Sequence, residues 1–181
     1  MKKIIHGFLA LVAAVLVAAS PAWAAPQAGR AELMNKVRKE LVTLPYYGVF
    51  DNLEYSVEGG TVTLYGQVVR SSTRSDAERR VRRLGGVERV VNNIEVLPLS
   101  GFDDSIRRQT YRALFGMNSP LFRYGRGVNP SIHIVVNRGH VTLEGVVSTE
   151  SDANLARIRA LSVPGVFSVT NNLRAERGRA R

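Results

Sequence analysis

Hydrophobic residues follow two different periodicities along the chain. The first set recurs every three or four positions: Leu33, Val37, Leu41 and Leu44. This spacing predicts a helix over roughly residues 32–44 with one apolar face. The next set alternates with other residues at every second position: Leu53, Tyr55 and Val57, then Val62 and Leu64, with Val68 in the same phase after Gly66. A period of two predicts two strands, which Glu58, Gly59 and Gly60 join as a hairpin.

A second helix and a last strand follow this hairpin. The helix begins near Ser71 or Ser72, because their hydroxyls suit a helix N-cap. Its buried stripe is formed by Ala77, Val81 and Leu84. Gly85 and Gly86 end the helix, and a strand over residues 87–96 completes the unit.

The whole pattern recurs 79 positions later. Six hairpin residues, Gly60, Val62, Thr63, Leu64, Gly66 and Val68, return as Gly139, Val141, Thr142, Leu143, Gly145 and Val147. The offset then carries Gly86, Val87, Val90, Asn92 and Asn93 onto Gly165, Val166, Val169, Asn171 and Asn172. Ungapped repetition over this length indicates a duplicated module.

The second copy has the same predicted elements. Its first helix buries Ile106, Thr110 and Leu114. Asp103 or Asp104 is the expected N-cap of that helix. The hairpin turns at residues 137–139. The second helix begins near Ser148 or Thr149 and ends at Pro164, and the last strand covers residues 166–174.

These elements predict an α+β fold with two tandem α-β-β-α-β modules, each a small three-stranded mixed sheet packed against two helices. The modules cover residues 31–97 and 102–174, with a short linker at residues 98–101. Residues 175–181 form a basic tail. We expect disorder in the arginine-rich end of the chain, which carries Arg174, Arg177, Arg179 and Arg181.

Residues 1–24 predict a cleaved signal peptide. Lys2 and Lys3 precede an apolar run, and residues 22–24 offer the small side chains that a signal peptidase accepts. The apolar run over residues 4–19 is shorter than the roughly 20 residues of a spanning helix, which disfavours an uncleaved anchor. We therefore expect export, with the periplasm as the compartment.

The charge of the chain favours an anionic partner. The formal net charge is +10, and it falls to +8 when Lys2 and Lys3 are removed with the signal peptide. Nucleic acid is not expected as a partner outside the cytoplasm, whereas anionic lipid surfaces are plentiful in a cell envelope. The alternative is a basic surface that serves only solubility.

The sequence gives little support to catalysis, and we expect no cofactor and no metal. The chain has no cysteine, which excludes thiolate metal ligands. His133 and His140 are the two histidines that remain after signal removal, and neither has a second histidine at a ligand spacing. The repeated glycines are isolated and predict tight turns rather than a phosphate-binding loop.

The repeated motif is similar to that of a known family. A strand of the form Val-Thr-Leu-x-Gly-x-Val, a helix and then Gly-Val-x-x-Val-x-Asn-Asn resemble the BON domain, named for bacterial OsmY and nodulation proteins. The resemblance covers almost the whole mature chain, twice. It implies an envelope protein of α-β-β-α-β fold that attaches to phospholipid membranes without catalysis, and its exported tandem form implies a link to osmotic stress. The strong basic charge and the aromatic loops depart from that pattern.

The first candidate contact surface is the basic second helix of module 1, with Arg74, Arg79, Arg80, Arg82 and Arg83. Only Asp76 and Glu78 offset these charges, and guanidinium groups bind phosphate oxygens in bidentate fashion. The periodicity places Arg79, Arg82 and Arg83 opposite the apolar stripe, so we expect them to be exposed. The alternative is a solvated helix face without a partner.

The second candidate is the aromatic loop after each first helix. These loops contain Tyr46, Tyr47 and Phe50 in module 1 and Leu121, Phe122, Arg123 and Tyr124 in module 2. Aromatic rings beside arginine suit a membrane interface, a protein groove or the cover of a small core. The longer stretch over residues 116–130 favours an exposed element in module 2.

These features support the hypothesis of a non-enzymatic envelope protein that attaches peripherally to anionic phospholipid membranes and supports envelope integrity or osmotic stress tolerance. The alternative is an adaptor or chaperone-like module that binds envelope proteins through the aromatic loops. The sequence leaves open the oligomeric state and the orientation of the two modules.

Overall fold

The computed structural model describes residues 24–127 and 129–176, which form two modules of one design. The first module contains α1 (Ala24–Val42), β1 (Asn52–Glu58), β2 (Thr61–Val68), α2 (Ser71–Arg82), β3 (Arg89–Asn92) and β4 (Glu95–Val96). The second contains α3 (Gly101–Phe115), a short 3-10 helix (Phe122–Gly125), β5 (Ile132–Asn137), β6 (His140–Val147), α4 (Glu150–Leu161) and β7 (Ser168–Ala175). The predicted α+β fold with two modules is confirmed.

Each sheet is mixed and has the hairpin's second strand at its centre. In module 1, β2 pairs antiparallel with β1 and parallel with both β3 and β4. In module 2, β6 pairs antiparallel with β5 and parallel with β7. Val62 lies opposite Val90 and Val141 lies opposite Val169, so the duplicated sequence keeps the same parallel register.

Each module buries its own core between one sheet face and two helices. The first core is formed by Leu33, Val37, Leu41, Leu44, Val57, Val62, Leu64, Val68, Ala77, Val81 and Ile94. The second core includes Ile106, Leu114, Ile132, Ile134, Val136, Val141, Leu143, Val147, Ala156 and Ala160. The apolar faces predicted for α1 and α3 are therefore the buried faces.

The glycine within each central strand is required by a close backbone approach. Gly66 and Gly145 have φ angles of 105° and 126°, which side-chain-bearing residues rarely adopt. A β-carbon at Gly66 would overlap the carbonyl oxygen of Asn52, and one at Gly145 would overlap that of Ser131. This contact explains why the fifth position of the Val-Thr-Leu-x-Gly motif is glycine in both copies.

The first asparagine of each Asn-Asn pair ties the last strand to the second helix. Asn92 donates from Nδ2 to the carbonyl of Arg74 over 3.2 Å, and its Oδ1 accepts from the backbone N–H of Ile94. Asn171 likewise donates to the carbonyl of Ala153 over 3.1 Å. In module 1 the strand is interrupted after Asn92, so the single strand predicted over residues 87–96 becomes β3 and β4.

Two predicted helix starts and one predicted cap differ in the structure, whereas α2 begins at Ser71 as predicted. α1 begins at Ala24, well before residue 32. α3 is capped by Ser100, whose Oγ accepts from the N–H of Asp103, so the prediction of Asp103 or Asp104 as the N-cap was wrong. α2 has no side-chain cap, because Arg70 occupies the N-cap position, whereas Thr149 caps α4 as expected.

The predicted boundaries also shift at the linker and the C-terminus. Gly101 belongs to α3, which shortens the linker. Arg174 lies within β7 instead of a disordered tail. Residues 1–23 of the predicted signal peptide lie outside the described part of the chain, and so do residues 177–181 of the tail. The last residue of the predicted signal peptide, Ala24, is described and begins α1.

Replacing Gly145 with alanine should destabilise module 2. The added methyl group meets the carbonyl of Ser131 while the backbone holds a positive φ, so we expect a loss of about 2 kcal/mol or more in the free energy of unfolding. Chemical denaturation followed by circular dichroism measures this loss.

Gly101→Ala provides the matched control, because no atom lies within 4 Å of the added methyl group and the position has no positive φ. It should leave the free energy of unfolding within about 0.5 kcal/mol of the parent value. Equal effects of the two substitutions would contradict the role assigned to the close approach.

Candidate functional site

The aromatic loop of module 1, residues 45–50, lies against module 2. The carbonyl of Val49 accepts from the backbone N–H of Ile134 at 2.7 Å, which adds one bond to the free edge of β5. His133 donates from Nδ1 to the carbonyl of Gly48 at 3.3 Å. Tyr47 places its ring 5.5 Å from the His133 ring. This loop is therefore a contact between the modules.

Phe50 extends the contact along α3. Its ring lies edge-on to Tyr111 with 6.2 Å between centroids, and Tyr111 in turn meets Phe115 at 5.2 Å. Phe50 and Val49 pack against the core of module 2. Tyr46 differs from its neighbours, since it is 69% exposed and its ring lies 4.7 Å below the guanidinium of Arg70.

Buried Asp51 and half-buried Tyr47 and His133 lie at this contact and have shifted pKa values. Asp51 is 4% exposed and accepts from the N–H groups of Val69 and Gly48. Burial raises the pKa of Asp51, and burial also raises the pKa of Tyr47 to about 12. Burial lowers the pKa of His133, although nearby Asp51 partly opposes that change.

The aromatic loop of module 2 packs mainly on its own module. Leu121 is fully buried and Tyr124 is 6% exposed. The hydroxyl of Tyr124 donates to Asp152 and accepts from the N–H of Ser148, each at 2.8 Å. The expectation of an exposed element is therefore wrong for these two residues, which cover the core. Phe122 and Arg123 do lie at the surface.

Arg123 is held in place from two sides. It pairs with Asp152 at 2.8 Å and lies 4.7 Å above the Tyr124 ring. The Tyr124 hydroxyl and the Asp152 carboxylate raise the pKa of Arg123. Arg123 therefore stabilises the short 3-10 helix against α4.

The basic helix α2 presents its arginines to solvent in the predicted register. Arg74, Arg79, Arg82 and Arg83 are exposed, and Arg80 is half-buried. Arg79 pairs with Asp76 and Arg82 pairs with Glu78 along the helix. Arg80 instead reaches Glu40 of α1 at 3.3 Å. Arg80 thus joins two helices, while the other four form an exposed face, called here the arginine face.

Sequence reasoning missed a second basic surface between the modules. A cleft of about 310 Å³ is lined by Phe50, Arg108, Tyr111 and Arg112. Arg108 and Arg112 stand one turn apart on α3, and both are exposed. Their spacing was visible in the sequence. The cleft was not, because it forms only when Phe50 of module 1 meets α3.

Within residues 24–127 and 129–176, no helix is long and apolar enough to cross a membrane. The same residues contain no cluster of three or more histidine, aspartate or glutamate side chains arranged to hold a metal ion. These residues form two modules with exposed basic and aromatic surfaces.

The profile of the BON domain matches residues 30–98 and again residues 103–177. The chain therefore belongs to the BON domain family and carries two such domains in tandem. BON domains indicate an envelope-associated protein, and the family is generally non-enzymatic.

Two solved structures of CdsD, a structural protein of the type III secretion system of Chlamydia trachomatis, are similar to this chain. Its C-terminal domain is 12% identical over 80% of this chain and 98% of that one, with a TM-score of 0.29. The other structure is 13% identical over 81% and 94%, with the same TM-score. Likeness at this level carries no functional argument. A comparison with curated proteins finds no match.

Acidification should weaken the folded protein through His133. Its pKa lies below the usual 6.5 in the folded chain because the charged ring is poorly solvated there. The unfolded chain thus takes up a proton first, and stability falls as the pH drops from about 6.5 through the folded pKa. A tenfold difference in proton affinity between the folded and unfolded chains corresponds to about 1.4 kcal/mol. Thermal unfolding between about pH 7 and about pH 5 measures the loss.

His133→Gln should reduce this pH dependence, since glutamine retains a donor for the Gly48 carbonyl but does not titrate. His140→Gln is the matched control, because His140 is exposed on the hairpin of the same module. The prediction is wrong if both variants lose stability with pH as steeply as the parent protein.

Proposed function

We propose that this two-BON protein is exported to the periplasm and attaches peripherally to anionic phospholipid membranes, where it supports envelope integrity or osmotic stress tolerance. The observation that carries the proposal is the arginine face of α2. Four exposed guanidinium groups stand there against two carboxylates, Asp76 and Glu78. A positive surface of this kind binds phosphate groups of a lipid layer.

The electrostatic free energy of the arginine face is large enough for reversible attachment to a membrane. Each basic residue near an anionic surface contributes about 1 kcal/mol, and the ion pairs of Arg79 and Arg82 reduce that value for two of the four. The cleft with Arg108 and Arg112 adds two further cations. These contributions add to the free energy of membrane binding. Salt should weaken this binding strongly, because dissolved ions screen exposed charges.

Only module 1 offers the arginine face. Arg79 and Arg82 correspond to Ile158 and Leu161 at the 79-residue offset, and both of those apolar side chains are exposed. The two modules therefore contribute differently to the proposed attachment.

The adaptor alternative has less support from the contacts. It assigned partner binding to the aromatic loops, but Tyr47 and Phe50 pack against module 2, while Leu121 and Tyr124 belong to a core. Among the aromatic residues of these loops, Tyr46 and Phe122 remain exposed, beside exposed Arg123.

Flotation with vesicles tests the proposal. Residues 25–181 should float with vesicles that contain phosphatidylglycerol, should not float with pure phosphatidylcholine, and should bind more weakly as salt is raised. Reversing Arg79, Arg82 and Arg83 to glutamate should reduce binding by roughly 100-fold or more, on the basis of about 1 kcal/mol for each lost cation and the added repulsion.

A variant with the same change of charge controls for net charge. Lys36→Glu, Arg38→Glu and Lys39→Glu alter three exposed residues of α1 and leave the arginine face intact. This control should bind more tightly than the α2 variant. Failure of the parent protein to float at low salt with anionic vesicles would sink the proposal.

A further inference from the structure

One end of module 2 carries an exposed aromatic cluster. Phe102 at the start of α3 is 50% exposed, and Phe167 before β7 is 69% exposed. Their ring centroids lie 6.0 Å apart, and the ring of His140 lies 5.9 Å from that of Phe167. Arg138 stands exposed in the adjoining hairpin turn. These four residues are called here the aromatic tip.

The aromatic tip rests on a well-fixed platform. The Phe167 ring covers Gly139, where a β-carbon would come within 2.7 Å of it, and the Phe102 ring covers Gly165 at 3.1 Å by the same measure. Buried Asp103 accepts from the N–H groups of Arg138 and Gly139 at 2.9 and 2.8 Å. The carboxylate thereby holds the hairpin turn beneath the rings.

The equivalent end of module 1 shows that folding does not require the Phe167 ring. Phe167 corresponds to Glu88, whose side chain covers Gly60 in the same way that Phe167 covers Gly139. A polar side chain therefore serves this position structurally. Two exposed phenylalanines at one site are better explained by a contact with something outside the module.

The change between the modules also removes carboxylates from this end. Glu58 and Glu88 of module 1 correspond to Asn137 and Phe167, and Gly59 corresponds to Arg138. Module 2 has thus replaced two exposed carboxylates by uncharged side chains and has gained a guanidinium. The end of module 2 therefore exposes apolar rings beside a cation, and the nearest carboxylate, that of Asp103, is buried. Such a surface complements a negatively charged layer with an apolar interior.

We propose that the aromatic tip of module 2 inserts into the headgroup region of an anionic bilayer and anchors the protein there. This inference rests on the proposed attachment to anionic lipid but assigns it a second site. Arg138 meets lipid phosphate, while Phe102 and Phe167 leave water for the boundary of the acyl chains. The arginine face contributes long-range attraction, and the tip contributes contact that salt does not screen.

Tryptophan fluorescence tests the insertion directly. The single tryptophan of the sequence is Trp23, so residues 25–181 contain none. Phe167→Trp introduces one indole at the tip, and its emission should shift to shorter wavelength on vesicles containing phosphatidylglycerol. Lipids brominated near the headgroup should quench it. Glu88→Trp places the indole at the matching position of module 1, where we expect neither effect.

Flotation of the same samples separates this inference from the proposed function. If the Phe167→Trp protein floats while its emission stays unchanged, the tip does not insert and this inference fails, although attachment stands; a protein-binding role for the tip would give that result. If no protein floats, the proposed function fails as well. Phe102→Ser with Phe167→Ser should lower partitioning by roughly tenfold or more at high salt, where the arginine face is screened.

Discussion

The close contact between each central strand and the strand before it determines the geometry of both modules. Gly66 meets the backbone of Asn52 and Gly145 meets that of Ser131, at positions where no β-carbon fits. This contact fixes the hairpin, and the last strand pairs in parallel with the other edge of β2 or β6. Two helices then cover one face of the sheet, and the other features of the molecule are placed relative to this frame.

The duplicated frame carries two different surfaces. Core positions such as Leu64 and Leu143 are identical and fully buried, because a change of volume there destabilises the module. Exposed positions have diverged, since most surface substitutions alter stability by less than about 0.5 kcal/mol. The same scaffold thus presents arginine at Arg79 and an exposed apolar side chain at Ile158.

Periodicity and repetition predicted the elements, their order and most of the core, because both depend on local spacing. The burial of the aromatic loops could not be predicted from the sequence, because Phe50 and Tyr124 pack against residues that are distant along the chain. Asp103 shows the same limit. Its position suggested an N-cap, but its carboxylate bonds a hairpin turn 35 residues away. The exposure of Arg79, Arg82 and Arg83 was predictable because it depends on one helix alone.

The contact between the modules gives the two proposed lipid-binding surfaces a shared consequence. Val49 bonds β5, and Phe50 packs on α3, so the arginine face and the aromatic tip belong to one connected body rather than to independent domains. In the proposed attachment, one bound surface would hold the other near the same bilayer, and the two weak contacts would reinforce each other where both reach it. The arginine face acts at a range of about 10 Å at moderate salt, whereas the rings act only on contact. In the proposed attachment, electrostatic attraction would therefore precede insertion, and the apolar contact would then slow release.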